Sequence, residues 1–257
     1  MRLTIVQPRL HWENPPANRE LLGDMLQPLA GRTDLVLLPE MFSTGFSMNA
    51  ATLAEPMDGA TAHWMQEQAR YLGAVVAGSF ICLDKGHFFN RFLFVRPDGR
   101  RDEYDKRHLF SLALEHETFS AGQERRFVEW QDWRICPLIC YDLRFPLWSR
   151  QPPGGEPFDL LLYVANWPAR RGHHWRALLQ ARAIENQCFV AGSNIVGTDG
   201  NGLEYSGDSG IIDFSGQQIC HISNQPGQYT AELSLADLKQ YRQNLPFLND
   251  ADHFKLV

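Results

Sequence analysis

Short apolar runs rich in β-branched and aromatic residues recur along this whole chain, and longer stretches with helical spacing separate several of them. That alternation restricts the chain to folds that stack helices on β-sheet. Strands are predicted at 3–6, 35–38, 74–81, 88–95, 133–139, 160–164, 189–191, 211–214, 219–222 and 229–233, and helices at 18–29, 61–72, 145–150 and 172–186. Asp98-Gly99 and Ser215-Gly216 fall between strand-like runs and read as hairpin turns, so part of the sheet is antiparallel. About ten strands are more than one open sheet carries comfortably, which favours two packed mixed sheets with helices on their outer faces over a single mixed sheet. QPPGGEP at 151–157 reads as a surface loop inside one domain, because strand-like runs continue on both sides, and residues 1–257 are read as that single domain.

Composition removes several function classes. Lys and Arg number 24 against 30 Asp and Glu, a formal charge of −6 with no long basic stretch; nucleic acid and membrane surfaces both require a positive field and are not expected partners. The longest apolar stretches, such as 160–165, are far below the ~18 residues of a membrane span. Gln7, Pro8 and Arg9 interrupt the first residues where a secretory signal needs a continuous apolar core. Five cysteines, odd in number and mostly inside apolar runs, fit free thiols in a reducing compartment, so a cytoplasmic location is expected.

Three apolar runs end in a polar or reactive residue: DLVLLPE at Glu40, RICPLIC at Cys140 and DLLLYVAN at Asn166. In α/β proteins the carboxyl edge of the sheet is where ligands bind. Taken singly, a cysteine at a strand end is usually a small buried hydrophobe. A carboxylate directly after LVLLP enters a partly apolar setting suited to a general base, or else pairs with an arginine. Lys106, in YDKRHLF, either lies on a solvated charged face or turns inward to lower a thiol pKa and bind a developing oxyanion.

LPEMF around Glu40, YDKRHLF around Lys106 and ICYDLRFP around Cys140 together resemble the three catalytic blocks of the nitrilase superfamily of carbon–nitrogen hydrolases. ARAIENQCFVAGSN at 181–194 and GDSGIIDFSG at 207–216 resemble its later blocks in the same order. The resemblance implies Cys140 as nucleophile, Glu40 as general base, Lys106 as oxyanion donor together with the backbone N–H of Tyr141, and Glu115 as a second glutamate that positions substrate and lysine. It further implies a four-layer α-β-β-α sandwich, a homodimer, a thioester intermediate, and no metal or other cofactor. Two residues depart from the family pattern. Leu147 occupies the place of a glutamate, and Pro137 precedes the cysteine by three positions, so the strand into Cys140 should be an edge or locally irregular.

PEMFSTGFSMN at 39–49 and NWPARRGHHW at 166–175 are most similar to the omega-amidase branch, which implies hydrolysis of the terminal amide of small 2-oxo dicarboxylic acid monoamides such as 2-oxoglutaramate and 2-oxosuccinamate. The far carboxylate of such a substrate needs a cation, preferably an arginine. Arg170, Arg171 and His173 are the candidates, with Phe42, Phe46 and Trp167 as pocket walls and Asn166 at the strand end. Asp142 and Arg144 are expected to pair and hold the nucleophile turn, with direct substrate contact as the lesser reading, and Arg182 and Glu185 to pair along a helix. A nitrile or N-carbamoyl hydrolase would use the same machinery. A metal hydrolase using His108, His116, His173 and His174 lacks a standard zinc spacing. In a non-catalytic redox sensor, Cys136 and Cys140 would lie ~13 Å apart along a strand, too far for an easy resolving pair.

Overall fold

A computed structural model of the chain describes residues 1–152 and 154–254. The predicted loop at 151–157 therefore includes one residue, Pro153, outside the described set. Elements are numbered here in chain order. One sheet contains β1 (Arg2–Gln7), β2 (Leu35–Leu37), β3 (Val75–Asp84), β4 (His87–Val95), β5 (Arg101–Asp105) and β13 (Gly227–Glu232), in the spatial order β13-β1-β2-β3-β4-β5. The other contains β6 (Val128–Trp130), β7 (Trp133–Ile139), β8 (Leu160–Val164), β9 (Phe189–Ser193), β10 (Val196–Thr198), β11 (Glu204–Ile212) and β12 (Gln218–Ser223), in the order β10-β11-β9-β8-β7-β6 with β12 on β11. The helices are α1 (Pro15–Leu26), α2 (Ala50–Leu53), α3 (Ala60–Leu72), α4 (Glu115–Thr118), α5 (Gly172–Asn186) and α6 (Leu235–Asn244). None is long and apolar enough to cross a membrane among the described residues.

The period-2 alternation of each strand builds the layers. In the first sheet Leu3, Ile5, Leu35, Leu37, Val75, Ala77, Phe92 and Phe94 face the large core shared with the second sheet. Their neighbours Val6, Val36, Val76, Leu93 and Val95 face the opposite way, against Leu22 and Leu26 of α1 and Met65, Ala69 and Leu72 of α3. On the second sheet, Trp175, Leu179 and Ala183 of α5 pack into the same core as Ala191 and Ile211. The result is the expected α-β-β-α stack. Local chemistry ends the elements: Asn14 caps α1 by accepting from Ala17 N at 3.2 Å, with prolines in its first turn, and Gly73 closes α3 in the left-handed conformation at φ 65°.

Both predicted hairpins form: β4 pairs antiparallel with β5 around Asp98-Gly99, and β11 with β12 around Ser215-Gly216. The predicted helix at 145–150 does not. Phe145–Ser149 instead forms successive tight turns, with Trp148 N donating to Phe145 O and Ser149 N to Pro146 O at 3.1 Å each. A six-residue segment is too short to sustain a helix without packing along one face, and Trp148 is drawn to the Tyr104 hydroxyl at 3.0 Å. Pro137 behaves as its chemistry requires. β6 pairs β7 only at residues 133–135, so at Pro137 the strand is paired with β8 alone.

Leu162 lies at the centre of the second sheet with no exposure, whereas Leu112 is 83% exposed. Leu162→Ala should lower unfolding free energy in urea by about 2–5 kcal/mol through the cavity it leaves, while Leu112→Ala should stay within about 0.5 kcal/mol of the parent.

Candidate active site

The site forms where strand ends of both sheets meet. Glu40 follows β2, Lys106 follows β5, Cys140 follows β7 and Asn166 follows β8. The antiparallel register of β4 and β5 pairs Arg91 with Asp105, a salt bridge at 2.7 Å. The next position on each strand turns to the opposite face, which directs Asn90 and Lys106 inward together, with Lys106 N donating to Asn90 O at 3.0 Å.

Lys106, Glu40 and Glu115 form a fully buried ion cluster. Lys106 Nζ donates to Glu40 Oε1 and to both carboxylate oxygens of Glu115, each at 2.9 Å. Asn90 Nδ2 donates to Glu40 Oε1 at 2.8 Å, Asn166 N to Glu40 Oε2 at 2.8 Å, and Phe110 N to Glu115 Oε2 at 2.5 Å. Burial alone would lower the lysine pKa, but Glu115 and Glu40 outweigh it and hold the ammonium above its ordinary range. Burial raises the Glu115 carboxyl, and the nearby Glu40 charge adds to that, against the pull of Lys106.

Cys140 lies beside this cluster at the floor of a cavity of about 470 Å³. Burial, then the charge of the Glu40 carboxylate, push its pKa well above the ordinary cysteine value, with Lys106 opposing them. The sulfur is therefore a thiol with the Glu40 carboxylate nearby. Its backbone has φ 44°, a left-handed conformation that a non-glycine residue holds only when its surroundings impose it. The surroundings do so through buried Asp142, whose Oδ2 accepts from Ile139 N at 3.0 Å and Tyr104 OH at 2.7 Å. Asp142 Oδ1 accepts from His108 N at 3.1 Å and lies 2.7 Å from His108 Nδ1. Arg182 Nη2 secures the far side of the turn by donating to Leu143 O at 2.7 Å, and its predicted pair with Glu185 is present at 2.9 Å.

Asp142 is thus engaged by neutral and histidine donors, and the predicted Asp142–Arg144 pair is replaced. Arg144 extends into the cavity, with its guanidinium 4.6 Å from the Trp167 ring centroid and Nη2 3.1 Å from His174 Nδ1. Arg170, Arg171, Phe46, Tyr141, Asn166 and Trp167 line the same cavity, in line with the sequence reading. Two candidates do not. Phe42 is consumed by the layer between the first sheet and its helices, because a turn residue beside a buried strand can face either layer. His173 lies in a separate depression with Arg176, Asp208 and His221, on the other side of the start of α5. Leu147 is exposed. Sequence reasoning missed Asn90, whose signal was a lone amide inside the apolar run FFNRFLFV; it placed Arg144 first in a structural pair and only second against substrate. Among the described residues no group of three or more His, Cys, Asp or Glu is arranged to hold a metal ion.

Comparison with known proteins bears on this geometry. A model of the carbon-nitrogen hydrolase family matches residues 2–243. Omega-amidase YafV of Escherichia coli is 48% identical over 257 residues, covering 100% of this chain and 98% of that protein. A 2-oxoglutaramate amidase of Bacillus subtilis is 32% identical, covering 96% of each chain. A crystal structure of a CN-hydrolase superfamily protein from Xanthomonas campestris, which carries an arsenic adduct in its active site, superposes with TM-score 0.98 at 48% identity, covering 100% of this chain and 99% of that one. A nitrilase-superfamily protein of Saccharomyces cerevisiae shares the fold, with TM-score 0.84 at 22% identity over 96% and 94% of the two chains.

Cys82 and Cys136 are pushed up to about 12, Cys220 to about 11, and Cys188 higher still, all through burial. Since every thiol, Cys140 included, stays protonated below its raised pKa, far-ultraviolet thiolate absorbance of the folded protein should remain flat from about pH 6 to about pH 9 and appear on unfolding. A titration step in that window that disappears in Cys140→Ser would contradict this.

Proposed function

The chain belongs to the carbon-nitrogen hydrolase family, and from that premise we propose that it cleaves the terminal amide of small 2-oxo dicarboxylic acid monoamides, 2-oxoglutaramate and 2-oxosuccinamate among them, through a thioester on Cys140. The observation that carries the reading is the contact of one buried ammonium, Lys106, with the Glu40 carboxylate, whose charge also bears on the Cys140 thiol. A raised thiol pKa means that the proton leaves sulfur only as the bond to carbon forms, and Glu40 is the group positioned to take it. The oxyanion that develops is stabilised by Lys106 and the Tyr141 backbone N–H. Glu40 then passes the proton to nitrogen, ammonia departs and the thioester remains. In the second half Glu40 removes a proton from water, which attacks the thioester; the C–S bond breaks, the acid is freed and Glu40 returns the proton to the Cys140 sulfur. Glu115 holds Lys106 in place and balances its charge throughout.

We read the substrate class from the three arginines of the cavity, whose lining also holds Glu13 and Asp199. Arg144, Arg170 and Arg171 all line it, and Arg171 has its pKa lowered by burial, then by repulsion from Arg170 and Arg144. Cations crowded in this way favour an anionic ligand, and a carboxylate at the far end of the amide relieves the repulsion. Arg144 is the best placed of the three, being four residues from the nucleophile and stacked on Trp167. The neutral amide end faces Cys140 and the carboxylate end faces the arginines. The five unpaired cysteines accord with a cytoplasmic enzyme, and the resemblance to a family that commonly pairs supports a homodimer.

Mixing the protein briefly with 2-oxoglutaramate or succinamate and quenching in acid should give, by mass spectrometry, an acyl adduct on Cys140 that is missing in Cys140→Ala. An unmodified Cys140 during turnover would reject the covalent route. Arg144→Met should lower kcat/KM for succinamate by about tenfold to a hundredfold, the worth of a charged hydrogen-bonded contact, and leave a neutral amide such as propionamide little changed. Equal losses on both would remove the carboxylate argument.

A further inference from the structure

Two buried acceptors near Glu40 have no hydrogen-bond partner among the described residues: Asn90 Oδ1 and Asn166 Oδ1. A buried carbonyl oxygen without a donor is costly, and in a native site it marks a place where something else binds. The two differ in access. Asn166 lines the cavity that holds Cys140, whereas Asn90 is closed off behind the ion cluster. Asn166 itself is only 4% exposed. The orientation of its amide is determined by chemistry, because Nδ2 lies 2.5 Å from Glu40 O, a carbonyl that can only accept. The remaining atom, Oδ1, is therefore an oxygen, and it is held rigidly by this bond and by the bond from Asn166 N to Glu40 Oε2.

We propose that Asn166 Oδ1 accepts a hydrogen bond from the nitrogen of the scissile amide and holds that nitrogen as it departs as ammonia. The inference rests on the amidase reading above and adds a residue that selects the leaving group. β7 and β8 run side by side in parallel with Ile139 opposite Val164, so the residue after Ile139, the nucleophile, and the residue two beyond Val164 issue from neighbouring strand ends about 5 Å apart. A primary amide needs an acceptor for its N–H, and among the polar side chains that line the cavity Asn166 is the one bonded directly to Glu40. As sulfur bonds to the carbonyl carbon and the C–N bond breaks, its electron pair stays on nitrogen, and the proton that left sulfur arrives there through Glu40. Nitrogen gains an N–H and positive character during this step, so the bond to Asn166 strengthens toward the transition state and accelerates the reaction rather than merely tightening binding. An ester places a lone-pair oxygen against the same acceptor and gains nothing from it. Asn166 thereby favours amides over esters.

The test compares succinamate with its ester counterpart, monomethyl succinate, which keeps the carboxylate and loses the N–H. In Asn166→Ala, kcat/KM for the amide should fall about tenfold to a hundredfold further than kcat/KM for the ester, and Asn166→Ser provides the same ratio should the alanine variant not fold. If Asn166 merely supports Glu40, both substrates lose equally, because both need the same base; an unchanged amide-to-ester ratio in the folded variant overturns the proposal. Turnover of neither compound by the parent protein would instead overturn the carboxylate-amide reading, and this inference with it.

Discussion

One buried ammonium organises this molecule. Lys106 has no exposed side-chain surface and makes contact with two carboxylates that are equally buried. Three ionisable groups removed from water are tolerable only when each is satisfied, and loss of one partner from such a cluster typically costs about 3–5 kcal/mol. The requirement reaches backward into the fold: the register of β4 with β5 places Asn90 beside Lys106, the end of β8 supplies Asn166 N to Glu40, and Phe110 N closes on Glu115. It also reaches forward into chemistry, because a carboxylate kept close to a cation is simultaneously kept close to a neutral thiol.

The turn that carries Cys140 illustrates how the same protein divides its charges between scaffolding and the cavity. Asp142 spends its acceptors on Ile139 N, Tyr104 OH and the two donors of His108. Burial, followed by Asp142, pushes the Tyr104 phenol well above its usual value, so it remains a donor. With the turn secured in this way, Arg144 is released from a structural role and can enter the cavity. Arg144, Arg170 and Arg171 line the cavity together with Glu13 and Asp199, while the Glu40 and Glu115 carboxylates lie buried on Lys106.

Much of the architecture was legible because strands buried on one or both faces announce themselves as apolar runs, and the residues at their carboxyl ends stand at the edge where chemistry occurs. Glu40, Cys140 and Asn166 stood out by that position, although their roles came only with the family resemblance. Lys106 and Glu115 needed the family resemblance, since a charged segment and a polar loop look the same whether they face solvent or a buried partner. β5 was missed because RDEYD carries mostly charged residues, as befits a strand at the edge of its sheet. α6 was missed because Leu238 is its one buried residue, too little to create a helical period, although Ser234 caps it by accepting from Asp237 N. Phe42, His173 and Arg144 share a single difficulty: side-chain direction on a loop depends on neighbours distant in sequence.

The groups around the cavity are mounted on strands from two different sheets, and those sheets touch through the large shared core. The alignment of Glu40 and Lys106 with Cys140 therefore depends on how the two sheets slide over one another. A displacement near 1 Å between reacting groups costs about a hundredfold in rate, well before it registers as unfolding. Sequence drift at the centre of the molecule is consequently policed by turnover as much as by thermodynamic robustness, and residues that never meet a substrate are bound to the evolutionary fate of those that do.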